Sequence, residues 1–143
     1  MSQVPAHWDT ASRIVELRNK ISPKTLIIGN GDAPDAETAR RLALESGLDG
    51  VMIGRGAFGN PWLFSGLKPD LRERLERLVE HVELFERIYK SDQPDRIKNF
   101  DIMKKHFKAY VAGFDEAKEL RVKLMETKNA ADVRRVVTDF LRR

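Results

Sequence analysis

The chain has 143 residues, 41% hydrophobic and 34% charged, with 26 Lys+Arg against 22 Asp+Glu and a net charge of +4. That length accommodates one ordinary domain or two small ones and excludes a complete (β/α)8 barrel, which takes about 250 residues. The sequence holds no cysteine, which excludes a disulfide scaffold, a thiolate metal site and a cysteine nucleophile among these residues and fits a reducing compartment.

The first half alternates helix and strand signals. From Trp8 to Ile21, Ala11, Ile14, Val15, Leu17 and Arg18 recur at helical spacing, with Asp9 as the predicted N-cap and Pro23 beyond the end. Thr25–Ile28 is a short apolar run that stops at Gly29, as a buried parallel strand does. Asp35 is placed to cap a helix that turns Ala36, Ala39, Leu42 and Ala43 inward, and Gly47 supplies a left-handed stop. Val51–Ile53 is a second short strand ending at a glycine. Helix and strand in alternation with short connections predict α/β packing on a parallel sheet.

The second half is helical. Leu71, Leu75, Leu78, Val82, Phe85 and Tyr89 form one apolar stripe over a predicted helix from Pro69 to Tyr89. Pro94 breaks the chain, and a second stripe runs through Phe100, Met103, Phe107, Tyr110 and Phe114, ending at Gly113. Ala117, Leu120 and Leu124 define a third helix. Asn129 with Asp132 predicts a capped fourth helix carrying Val133, Val136, Val137, Phe140 and Leu141. The fold class is therefore α/β followed by all-α, a small antiparallel bundle, with a boundary near Ser65-Gly66-Leu67.

Charge follows the same division. Through Gly66 there are seven bases and seven acids, so the whole excess of four lies in the second half and hints at a polyanionic partner. No apolar run approaches the roughly 20 residues of a membrane span, and the start lacks the regions of a signal peptide. A soluble, cytoplasmic chain is expected. His7, His81 and His106 are scattered and lack partners at ligand spacing, so no metal site is expected.

The chemistry is expected where each strand ends, at Gly29-Asn30-Gly31-Asp32 and at Gly54-Arg55-Gly56-Ala57-Phe58-Gly59. Glycine removes the Cβ, reaches positive φ and lets backbone N–H groups converge on an anion, to which Arg55 adds a bidentate charge. The second loop matches G-x-G-x-x-G literally. A dinucleotide fingerprint, however, needs a long helix starting inside the motif and an acid about 20 residues on. Here Asn60-Pro61-Trp62 follows at once. Two successive strands ending in glycine loops suit the phosphate site formed after strands seven and eight of a (β/α)8 barrel. Plain turn glycines remain the alternative at this point.

These strings carry a resemblance. LIIGNGD (Leu26 to Asp32) and GLDGVMIGRGAFGNPWLF (Gly47 to Phe64) resemble the C-terminal end of the tRNA-dihydrouridine synthase barrel, and AHWDTASRIVEL (Ala6 to Leu17) resembles the helix before its strand seven. IMKKHFKAYVAGFDEAKELR (Ile102 to Arg121) is similar to a segment of that family's helical domain.

The resemblance implies that residues 1–66 are the C-terminal part of an FMN-binding TIM barrel, strands seven and eight, and that residues 67–143 are a helical tRNA-binding domain. Members reduce uridine in tRNA to dihydrouridine with FMN and NADPH. The FMN phosphate is implied at Asn30, Gly31, Asp32, Gly54 and Arg55. Arg55 would be the counter-charge, and Asp32 would serve loop or ribityl hydrogen bonding. Lys98, Lys104, Lys105 and Lys108 are implied RNA contacts, with Lys104 and Lys108 one turn apart; a solvated helix face is the alternative. Trp62 and Phe64 are expected as core anchors between barrel and bundle rather than as base-stacking platforms. The family's general acid is a cysteine upstream of strand seven, so no catalytic residue is assigned here, and a missing N-terminal barrel portion is implied as partner. The other readings are a non-catalytic RNA-binding or interaction module and, more weakly, another FMN barrel enzyme.

Overall fold

The computed structural model describes residues 4–89 and 98–143, so Pro94 lies outside the described residues. They belong to two units, Met1–Gly66 and Leu67–Arg143.

In the first unit a 3-10 turn, Trp8–Thr10, leads into α1 (Ala11–Ile21), followed by β1 (Ile28–Asn30), α2 (Ala36–Ser46), β2 (Gly50–Met52) and a second 3-10 turn, Arg55–Ala57. The strands are parallel, with Ile28 opposite Gly50 and Asn30 opposite Met52. Helix α2 has the predicted ends. The Asp35 carboxylate accepts the Thr38 N–H at 2.7 Å, and Gly47 adopts φ 66°. That backbone N–H holds the Asp35 carboxyl below the usual carboxylate range.

Three expectations need correction. Asp9 caps nothing: it lies inside the 3-10 turn, and α1 starts behind Thr10, whose side chain makes no capping bond. Strand β1 begins at Ile28 rather than Thr25, because side chains hold the residues before it. Arg18 Nη1 donates to the Thr25 carbonyl at 2.6 Å and to Asp49 Oδ2 at 2.8 Å, and the same Asp49 oxygen accepts the Ile27 N–H at 2.8 Å. Gly29 accordingly sits within β1, where a Cβ would lie 2.6 Å from the Trp8 ring and 2.7 Å from Leu48. It is a glycine of close packing, not of the loop. Strand β2 is likewise shifted by one residue, to Gly50–Met52.

The second unit holds α3 (Leu71–Tyr89), a 3-10 turn Phe100–Met103 that runs into α4 (Lys104–Tyr110), α5 (Ala117–Met125) and α6 (Ala130–Leu141). Helix α3 opens on a reciprocal cap: Glu73 N–H donates to Asp70 Oδ1 at 2.8 Å and Asp70 N–H to Glu73 Oε2 at 2.9 Å. Helix α6 opens on the predicted Asn129, which accepts the Asp132 N–H at 2.8 Å. The stripes meet in one core of Leu75, Leu78, Val82, Met103, Phe107, Leu120, Leu124, Val133 and Val137, all at most 2% exposed. Each large side chain contributes roughly 1.5–3 kcal/mol through burial.

Helix α4 stops at Tyr110, short of the expected end at Gly113. Two arginines explain it. The Val111 carbonyl accepts Arg121 Nη1 at 2.9 Å and the Ala112 carbonyl accepts Arg74 Nη2 at 3.0 Å, so both carbonyls find partners outside the helix. Among the described residues no helix is long and apolar enough to cross a membrane.

Candidate functional site

Because β1 and β2 are parallel and end in register at Asn30 and Met52, their following loops open at the same edge. There they enclose an open cleft of about 690 Å³ lined by Asn30, Gly31, Asp32, Ala33, Pro34, Met52, Gly54, Arg55 and Gly56. All five residues implied as cofactor ligands line it. Gly31 lies at φ 132°, and a Cβ there would stand 2.5 Å from the Ala6 Cβ. A Cβ on Gly56 would stand 2.1 Å from the Pro34 carbonyl oxygen, so this glycine lets the two loops touch. Gly54 has no atom within 4 Å of a Cβ position, so its backbone borders open space. Sequence reasoning passed over the contact between Pro34 and Gly56; the repeated glycines of the second loop were its signal.

The charges in the cleft are paired. Arg55 Nη2 donates to Asp32 Oδ1 at 3.0 Å, with side chains 58% and 43% exposed. Asp32 Oδ2 accepts the Ala6 N–H at 2.7 Å. Arg55, the implied counter-charge, thus already carries one ion pair within the cleft. A guanidinium has five N–H donors, and its exposure leaves it open to an anion. The exposed guanidinium, the open space beside Gly54 and a wide mouth fit a phosphate group.

A second groove, about 640 Å³, runs between α4 and α5 and is lined by Lys104, Lys105, Phe107, Lys108, Lys118, Arg121, Val122, Met125 and Glu126. Three of the four expected lysines meet there. Lys98 is exposed and does not line it. Lys104 is not a free cation: its Nζ lies 2.6 Å from Asp101 Oδ1, and its side chain is 23% exposed. Lys118 and Arg121 escaped sequence reasoning, although their spacing of three on α5, beside the apolar Ala117 and Leu120, was a usable signal. Phe64, expected as a core anchor, is 77% exposed.

Two of the scattered histidines come together. The rings of His81 on α3 and His106 on α4 lie 5.1 Å apart, and His81 Nδ1 is 3.2 Å from the Tyr110 hydroxyl. Burial lowers both histidine pKa values, His81 and Lys105 lower that of His106 further, and burial raises that of Tyr110. Among the described residues no three His, Asp or Glu side chains converge as metal ligands would.

Comparison with known proteins gives this geometry a context. The chain is 42% identical over 142 residues to a probable tRNA-dihydrouridine synthase of Staphylococcus aureus, covering 98% of this chain and 42% of that protein. It is 41% identical to a probable tRNA-dihydrouridine synthase of Staphylococcus epidermidis, with the same coverage. A probable tRNA-dihydrouridine synthase 2 of Bacillus subtilis is 38% identical over 145 residues, which is 100% of this chain and 43% of that protein. The chain thus spans little more than two fifths of the length of the curated relatives it matches. The sequence model described as dihydrouridine synthase (Dus) matches residues 1–143, and the chain belongs to that family.

Proposed function

We propose that this chain supplies the FMN-phosphate loops and the tRNA-binding helices of a flavin-dependent tRNA-dihydrouridine synthase. The observation that carries the reading is the cleft at the C-terminal edge of β1 and β2, where Asn30, Gly31, Asp32, Gly54 and Arg55 converge. Residues 1–66 are then the last two strand-helix units of a TIM barrel, and residues 67–143 the RNA-binding domain. The exposed apolar side chains of the first unit support that assignment. Ile28 on β1 is 56% exposed and Met52 on β2 is 53% exposed, as strand side chains are when two parallel strands cannot close a barrel around them. The remaining strands come from an N-terminal barrel portion outside these 143 residues.

Within this reading the chain's residues bind and orient. The Gly54 N–H and the Arg55 guanidinium hold the phosphate, and Asn30 and Gly31 complete the rim. When bound, FMN supplies the hydride that reduces the uracil ring, with NADPH as its source. The proton needs a general acid, and the cysteine that serves in the family has no counterpart among these residues. Lys105, Lys108 and Lys118 line an exposed basic groove with Lys104 and Arg121, and Lys98 lies outside it. Neutralised RNA phosphates release counterions there, giving affinity independent of sequence. The enzyme acts in the cytoplasm.

The test is co-expression with the barrel portion of a relative and measurement of dihydrouridine in tRNA by mass spectrometry. Dihydrouridine that depends on both polypeptides supports the reading. A complex that binds tRNA but leaves uridine unchanged, with flavin bound, favours a non-catalytic RNA-binding module.

A further inference from the structure

A carboxylate opposes an anionic ligand, yet Asp32 stands in the middle of this cleft. Its backbone lies at φ 49°, a left-handed conformation that strains a residue with a side chain. Such strain persists where the surroundings fix it. Here the fixing contacts are the two carboxylate oxygens, one on Arg55 Nη2 at 3.0 Å and the other on the Ala6 N–H at 2.7 Å. Ala6 in turn packs against Gly31, which has no room for a Cβ on that side. Asp32 therefore joins the chain entering the unit, the first loop and the arginine of the second loop.

We propose that Asp32 is a positioning residue for an anionic ligand of this cleft, pre-ordering the Arg55 guanidinium and acting through it without touching the ligand. The proposal rests on the phosphate reading above. A long arginine side chain loses rotamer freedom on binding. A partner that orders it beforehand removes that loss from the binding step. Two effects of Asp32 then oppose each other. Its charge repels the phosphate, whereas its grip on Arg55 aids it, and the sign of a substitution reveals which dominates.

The experiment measures FMN binding by the chain co-purified with a relative's barrel portion, through flavin fluorescence, and binding of inorganic phosphate by amide shifts of Gly31 and Gly54. Asp32→Asn keeps an acceptor for Ala6 and removes the charge. Asp32→Gly relieves the backbone strain and removes both contacts. Both are expected to weaken FMN binding about two- to fivefold, the scale of a partly exposed ion pair. Neither is expected to weaken it further in an Arg55→Ala background. Tighter binding by either variant, or equal weakening with and without Arg55, overturns the positioning role. A complex that binds neither probe, or one with Arg55→Ala that binds FMN as the unaltered complex does, overturns the phosphate reading itself.

Discussion

Arg18 Nη1 lies 2.8 Å from Asp49 Oδ2, joining α1 to the residue that precedes β2. The Ile27 N–H, followed by Arg18, holds the Asp49 carboxyl below the usual carboxylate range. A depressed carboxylate pKa contributes stability that is full above the unfolded value near 3.9 and is lost as pH falls through the folded value. The first unit is therefore expected to loosen in acid, and Asp49→Asn to reduce that acid sensitivity while lowering stability at pH 7. Tryptophan fluorescence reports this directly, since Trp8 and Trp62 both belong to that unit.

The second unit gives a prediction about packing. Phe107 is 1% exposed in its core, so Phe107→Ala is expected to cost about 3–5 kcal/mol. Asn129→Ala removes the α6 cap and is expected to cost about 1 kcal/mol. Urea unfolding followed by circular dichroism measures both. Equal costs for the two variants contradict the core described here.

The paired histidines predict a pH dependence of opposite origin. Their folded pKa values are depressed, so the unfolded chain takes up protons more readily as pH falls below about 6.5. Stability of the second unit is fully present above that value and declines as pH falls below it toward the depressed folded values. Replacing His81 and His106 together with Gln is expected to flatten that decline.

The basic groove predicts a hierarchy among lysines. Lys105→Glu, Lys108→Glu and Lys118→Glu are expected to weaken tRNA binding and flatten its salt dependence, by about 0.7–0.9 in log–log slope for each phosphate contact removed. Lys104, already paired with Asp101 at 2.6 Å, is expected to matter less. Filter binding across a salt series checks the order, and a Lys104→Ala effect as large as that of the three reversals contradicts it.

How much of this was legible beforehand depended on the range of the forces involved. Helix α2 and helix α6 were readable because their caps and stops are local: Asp35, Gly47 and Asn129 act within four residues. The stripes of α3 to α6 were readable because burial follows helical spacing. The strand limits were not, since they are set by Arg18 and Asp49, 31 residues apart. The two glycine loops were legible as neighbours at one strand edge, where they line a common cleft. Their closure by Pro34 and the Asp32–Arg55 pair were not, for a spacing of 23 residues carries no local signature. The meeting of His81 and His106 likewise depends on how α3 packs on α4.

The most direct test of the central claim is the flavin content of the chain co-purified with a relative's barrel portion. The account predicts a yellow complex that retains FMN, with retention falling about tenfold or more on Arg55→Ala, as expected for losing a charge-assisted contact to phosphate. A stable but colourless complex, or one that holds FMN equally without Arg55, would contradict it.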